Sequence, residues 1–141
     1  MKKFVFKLED VLSIREFQQE QAEIELGKAL EEERKIQEKL EAVAVQHAAC
    51  VRQIDGTLDF SAIASAQQYF AMLEVQKNFL LEELTRAKLV TEQKRKILQE
   101  KMKKSAALAK LREKELVKFQ KQVLDEEELA VDDVASSRYK R

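Results

Sequence analysis

The chain has 141 residues, with 26 basic and 26 acidic side chains that cancel to a formal net charge of zero, and it contains no Pro, no Trp and only two Gly. Average usage would supply roughly 7 Pro and 10 Gly at this length, so the strongest helix breakers are nearly missing and almost every segment is free to be helical. Neutrality removes the compositional argument for a nucleic-acid binder, and a charged fraction of 37% leaves too few apolar residues for a thick globular core.

The single cysteine, Cys50, has no partner for an intramolecular disulfide, which points to a reducing cytoplasm. The opening Met1-Lys2-Lys3 is followed by Lys7, Glu9 and Asp10, which interrupt the apolar run of a signal peptide. No apolar run approaches the roughly 18 residues of a membrane span, so any membrane contact is expected to be peripheral.

The first predicted element is a helix over about 4–54. Spacings of four and three run through Leu8, Leu12, Arg15, Gln19, Ala22, Leu26, Ala29, Glu33, Ile36, Leu40, Val43, His47, Cys50 and Ile54. Ten of these fourteen are apolar, a heptad seam long enough to separate coiled coil from accident. A turn is expected at 55–59, where Asp55-Gly56 is a turn pair and Asp59 or Ser61 can cap the next helix.

The second helix is predicted over about 60–134, with a tail at 135–141. Its seam runs through Ile63, Ala66, Phe70, Leu73, Lys77, Leu80, Leu84, Ala87, Thr91, Lys94 and Leu98. It then steps by one inserted residue to Met102, Ser105, Ala109, Arg112, Leu116, Phe119 and Val123, a stutter that locally unwinds a supercoil. Two stripes joined by one short turn must lie antiparallel, because neither buries its seam alone. The predicted fold is therefore all-α: one long two-helix antiparallel coiled-coil hairpin with a longer C-terminal helix, monomeric when free. Folding about residue 57 sets position i opposite roughly 115 minus i, so Leu12 would meet the region of Lys103. On that arithmetic Leu116, Phe119, Val123 and Leu124 overhang the start of the chain and need an outside partner.

Charge is segregated along the chain. Residues 1–60 carry 9 basic and 13 acidic side chains, whereas 91–121 carry 11 and 4. These read as solvated faces that help the two helices choose a register; a stripe for an acidic partner is the sharper alternative. Polar seam residues Arg15, Gln19, Glu33, Lys77, Lys94 and Arg112 either pair across the hairpin or face outward to a partner.

Catalytic chemistry finds no support. Both glycines are isolated, so no phosphate-binding loop exists. His47 and Cys50 share a helix face, but both fall on the seam and read as filler, without the further ligands a metal needs. Asp125-Glu126-Glu127-Glu128 reads as a solvated tail, since consecutive helical carboxylates diverge. No enzyme activity, cofactor or metal is expected. A nucleic-acid arm over 94–121 would have Phe119 alone for base stacking.

Three stretches resemble the FliJ family of bacterial flagellar type III export. Phe4-x-Phe6-x-Leu8-x-x-Val11-Leu12-x-x-Arg15 is similar to that family's start, and Gln67-Gln68-Tyr69-x-x-x-Leu73 to its aromatic segment after the turn. Lys110-Leu111-Arg112-Glu113-Lys114 and Val131-Asp132-Asp133-Val134-Ala135-x-x-Arg138-Tyr139 are similar to its basic stretch and its terminus. The resemblance implies a non-catalytic cytoplasmic stalk, peripheral to the cell membrane, whose paired ends enter the hexameric export ATPase. It also implies contacts with the membrane export gate and with substrate chaperones. Gate contact would fall on Tyr69, Leu73, Gln76 and Leu80, of which Gln76 and Leu80 differ from the Ala and His of better-known members. ATPase contact is expected from Phe4, Phe6, Leu8, Leu116, Phe119 and Val123. A virulence-type secretion stalk and a generic coiled-coil scaffold are the rival readings.

Overall fold

A computed structural model describes residues 2–139, which form helix α1 (Glu9–Ile54, 46 residues) and helix α2 (Phe60–Tyr139, 80 residues). No strand occurs among the described residues, and the fold class is all-α. The chain divides into two compact units, one made of Ala22–Leu98 and the other of the segments up to Gln21 and from Gln99 onward.

Within Ala22–Leu98, the end of α1 and the start of α2 run antiparallel around the turn. Ile54 closes α1, and Gly56 takes a left-handed φ of 76°, which L side chains enter at a cost. Thr57 N–H returns to the Ile54 carbonyl at 3.2 Å. Asp59, not Ser61, caps α2: its carbonyl accepts from Ile63 N–H at 3.1 Å and its Oδ1 from Ser61 N–H at 3.0 Å. His47 lies on Phe70 with ring centroids 4.6 Å apart, and Lys94 reaches Glu25 at 3.9 Å, both contacts of an antiparallel pair.

In the other unit, Gln19 meets Ser105 and Glu9 meets Arg112, again antiparallel. Helix α1 starts at Glu9 rather than near residue 4. The alternation Phe4-x-Phe6 suits an extended segment that turns one large ring inward at a time, and Phe6 is buried while Val5 and Lys7 are exposed. Leu8 then supplies the first helical carbonyl, to Leu12 N–H at 2.8 Å, and Glu9 and Asp10 sit favourably at the positive helix start. At the other terminus α2 runs through most of the predicted tail to Tyr139, and residues 140–141 lie outside those described.

Burial follows the seams closely. Every predicted seam position of α1 is buried or half-buried except Leu8 and His47, and in α2 every one from Ile63 to Leu98 except Lys77. The next stretch differs. Lys101 and Leu108 are tucked in instead of the expected Met102 and Ala109, so the inserted residue falls at Leu108, Arg112 and Leu116. Lys101 is half-buried, as the apolar stem of a lysine allows, and a reading by hydrophobicity passes over it in favour of Met102.

The register also departs from the simple mirror. Gln19 faces Ser105 rather than Lys96, and Glu9 faces Arg112 rather than Ala106. Side chains lean toward the N-terminus of their own helix, which moves both contacts in this direction, but the nine-residue offset at Gln19, about 13 Å of helix rise, exceeds what lean alone supplies.

Leu73, 2% exposed, is the most enclosed large side chain. Leu73→Ala should lower the unfolding free energy by about 2–4 kcal/mol in urea denaturation. Val75→Ala, at a position 70% exposed on the same helix, should stay within about 0.5 kcal/mol of the parent. Equal losses would mean that the seam assignment is wrong.

Candidate functional site

Two places carry the residues expected to meet partners. The first is built from the N-terminal segment and the far part of α2. The Phe4 ring packs on Phe119 with centroids 5.6 Å apart and planes tilted by 51°. The Arg112 guanidinium carbon stands 5.5 Å above the Phe4 ring, while its Nε donates to Glu9 Oε2 at 2.8 Å. Further out, Lys2 Nζ reaches Glu126 at 3.0 Å.

Extension of the start of the chain accounts for this reach. From Glu9 back to Lys2, seven largely extended residues span at most about 23 Å, close to the ~21 Å of helix between Arg112 and Glu126. A helical start would have covered half as much. The expected overhang is corrected accordingly: Phe119 is covered by Phe4, and Leu116 and Val123 are half-buried. Phe6 is buried within the unit, and Leu8 is exposed at the helix start.

The unpartnered apolar surface lies further along α2. An open groove of about 740 Å³ is lined by Lys2, Phe119, Val123, Leu124, Glu127 and Ala130 among others. Val131 and Val134, further along α2, are both exposed. On a helical wheel Val123, Leu124, Ala130, Val131 and Val134 fall on one side, with Glu127 among them, while Asp125 and Asp132 lie opposite. Leu124 belongs to the overhang expected from sequence, whereas Ala130, Val131 and Val134 have no part in it. Their i+7, i+8 and i+11 spacing from Val123 is the available signal, masked by the acidic run between them.

The second place is the start of α2. Leu73 and Leu80 are buried core residues, whereas Tyr69 is half-buried and Gln76 exposed. The four residues therefore do not form one free face. Tyr69 and Gln76 edge a flank that continues through Met72 and Phe79, both about half exposed, and Val75. Met72, Val75 and Phe79 repeat at helical spacing, a signal that the stronger seam beside them hides.

Cross-helix pairing absorbs part of the charge segregation. Of the polar seam residues, Gln19, Lys94 and Arg112 reach the opposite helix, whereas Arg15 and Lys77 contact Gln18 and Glu74 on their own. Glu33 is half-buried. On the outer face of α1 Arg34 bonds both Glu31 and Glu38, and the hydrogen bond from Arg34 holds the Glu31 carboxyl below its ordinary pKa. Among the described residues no cluster of His, Cys, Asp or Glu suitable for a metal is gathered, and no helix is long and apolar enough to cross a membrane. His47 turns to Phe70, and Cys50 is a half-buried free thiol.

Phe119→Ala should lower stability by about 1–2 kcal/mol, less than for a fully buried ring. In a double-mutant cycle with Phe4→Ala, followed by denaturation, the two changes should couple by about 0.5–1.5 kcal/mol. Strict additivity would show that the two rings do not pack in solution.

No curated protein and no solved structure matches the chain. A family model described as "Flagellar FliJ protein" matches residues 3–141, nearly the whole chain. The chain therefore belongs to the FliJ family, whose members are components of flagellar protein export by type III secretion.

Proposed function

We propose that this chain is a non-catalytic, stalk-like component of the flagellar export apparatus, working in the cytoplasm at the inner face of the cell membrane. It binds the hexameric export ATPase through the part of α2 that runs on beyond its contacts with the N-terminal segment. It engages the membrane export gate through the flank of Tyr69, Met72, Gln76 and Phe79, in place of the buried Leu73 and Leu80. Substrate chaperones are further partners on the same family reasoning.

The observation that carries this reading is the apolar side of α2 past Glu126, the last residue that Lys2 reaches. Val131 and Val134 stand exposed there, with Asp132 on the opposite side of the helix. Large apolar side chains left in water forgo about 1.5–3 kcal/mol each, which a partner recovers by covering them. Phe4, Phe119 and Arg112 fix the base of this helix, so less ordering is required at the moment of binding. No catalytic group is needed for the protein to affect ATP hydrolysis. One asymmetric stalk inside a six-fold ring meets each subunit differently and biases which subunit is in which state.

Removal of everything after Glu126 keeps the Lys2 contact and the Phe4–Phe119 packing, so the thermal midpoint should change little. Binding to the purified export ATPase should weaken at least tenfold, with loss of ATPase stimulation, and Val131→Asp/Val134→Asp in the full chain should do the same. Full-strength binding and stimulation by both variants would remove this surface from the ATPase contact.

A further inference from the structure

The hairpin turn departs from the usual composition of turns. Turns are normally built from polar and small residues, yet Leu58 is 98% exposed and Phe60 86% exposed, two residues apart. Neighbouring Ile54 and Thr57 are half-buried, so the apolar pair is held outward rather than folded back. The turn is also well tied. Gly56 sets the reversal, Thr57 N–H bonds Ile54, and Asp59 caps α2 through both its carbonyl and its carboxylate. Leu58 and Phe60 thus project from a backbone already fixed, which lowers the ordering cost of binding.

Charge decides what kind of surface receives them. Asp55 and Asp59 bracket Leu58, and between Gln53 and Tyr69 there is no Lys or Arg. An anionic membrane face repels such a tip, and a neutral bilayer offers nothing for its carboxylates, whereas membrane-seeking tips pair apolar residues with Lys or Arg. A protein pocket with an apolar floor and a basic rim satisfies both features.

We infer that the turn 55–60 is a docking prong, with Leu58 and Phe60 entering an apolar pocket and Asp55 meeting Lys or Arg at its rim on a partner protein. The inference rests on the export-stalk reading and assigns that pocket to the cytosolic part of the export gate. Apolar burial holds the contact, and the aspartates steer it and select against acidic surfaces.

The test measures binding of the full chain to the purified cytosolic domain of the export gate protein from the same bacterium, by calorimetry at low and physiological salt. Leu58→Ser and Phe60→Ser should each weaken binding about tenfold or more. Asp55→Lys should weaken it most at low salt. Thermal midpoints should stay within a degree or two of the parent, since the positions are exposed. Unchanged binding by all three variants, with loss in Phe79→Ser, would overturn the prong and leave the gate reading standing. A parent chain that does not bind the domain would remove both. Two controls offer other occupants: phosphatidylcholine and phosphatidylcholine/phosphatidylglycerol vesicles, and sedimentation of the chain alone. Parent binding to vesicles, or self-association, that Leu58→Ser abolishes would overturn the protein pocket in favour of a bilayer or a second copy.

Discussion

Everything in this chain depends on one constraint: each helix carries an apolar stripe that it cannot bury by itself. A single helix of this composition gains little from its own backbone and must find a second stripe. The chain supplies both stripes and one sharp turn, and the pairing consumes nearly all the apolar surface it can reach. The resulting core is thin. Its most enclosed members include small side chains, Ala22, Ala29 and Ala66, beside Leu12, Leu73 and Leu80. Thr91 and Ser105 are admitted because each hydroxyl has a partner, Thr91 on the Ala87 carbonyl and Ser105 on Gln19.

That consumption decides which residues remain for other proteins. Leu73, Leu80 and Phe119 are large and apolar, and each is already engaged within its own unit. Met72, Phe79, Val131, Val134, Leu58 and Phe60 are comparably apolar, yet each leaves about half or more of its surface exposed. A protein without a catalytic centre acts through such leftovers, and their charged surroundings then distinguish one partner from another. Acidic residues lie opposite the stripe at Val131 and Val134, and aspartates flank Leu58. Exposed ion pairs such as Arg34 with Glu31 add little to stability, because water screens them.

The two helices, the turn and most of the seam are legible in the sequence because heptad spacing is a long signal that tolerates local exceptions, and the Asp55-Gly56 pair punctuates it once. What fails is local. Lys101 and Met102 compete for one seam position, and hydrophobicity favours the wrong one because it ignores the lysine's apolar stem. The start of the chain reads as helix since Leu8 and Leu12 fit the heptad, whereas Phe4 and Phe6 alternate at strand spacing. That one difference moves the start of α2's free surface from Leu116 to Leu124. The candidate sites suffer most, because a family motif such as Tyr69-x-x-x-Leu73 marks a region of helix without saying which side of it the seam takes.

The central claim is that both stripes are satisfied within one chain. Double electron–electron resonance on spin labels at Leu30 and Lys88, and separately at Glu16 and Ala107, tests it most directly, since all four positions are at the surface and each pair lies within one unit. Packed helices lie about 8–10 Å apart, so each pair should give a short distance, about 20 Å or less once the label arms are included. These distances should persist when labelled chains are diluted into a large excess of unlabelled ones. Loss of the short distances on dilution would show that the stripes are paired between chains, which contradicts a hairpin closed within one chain.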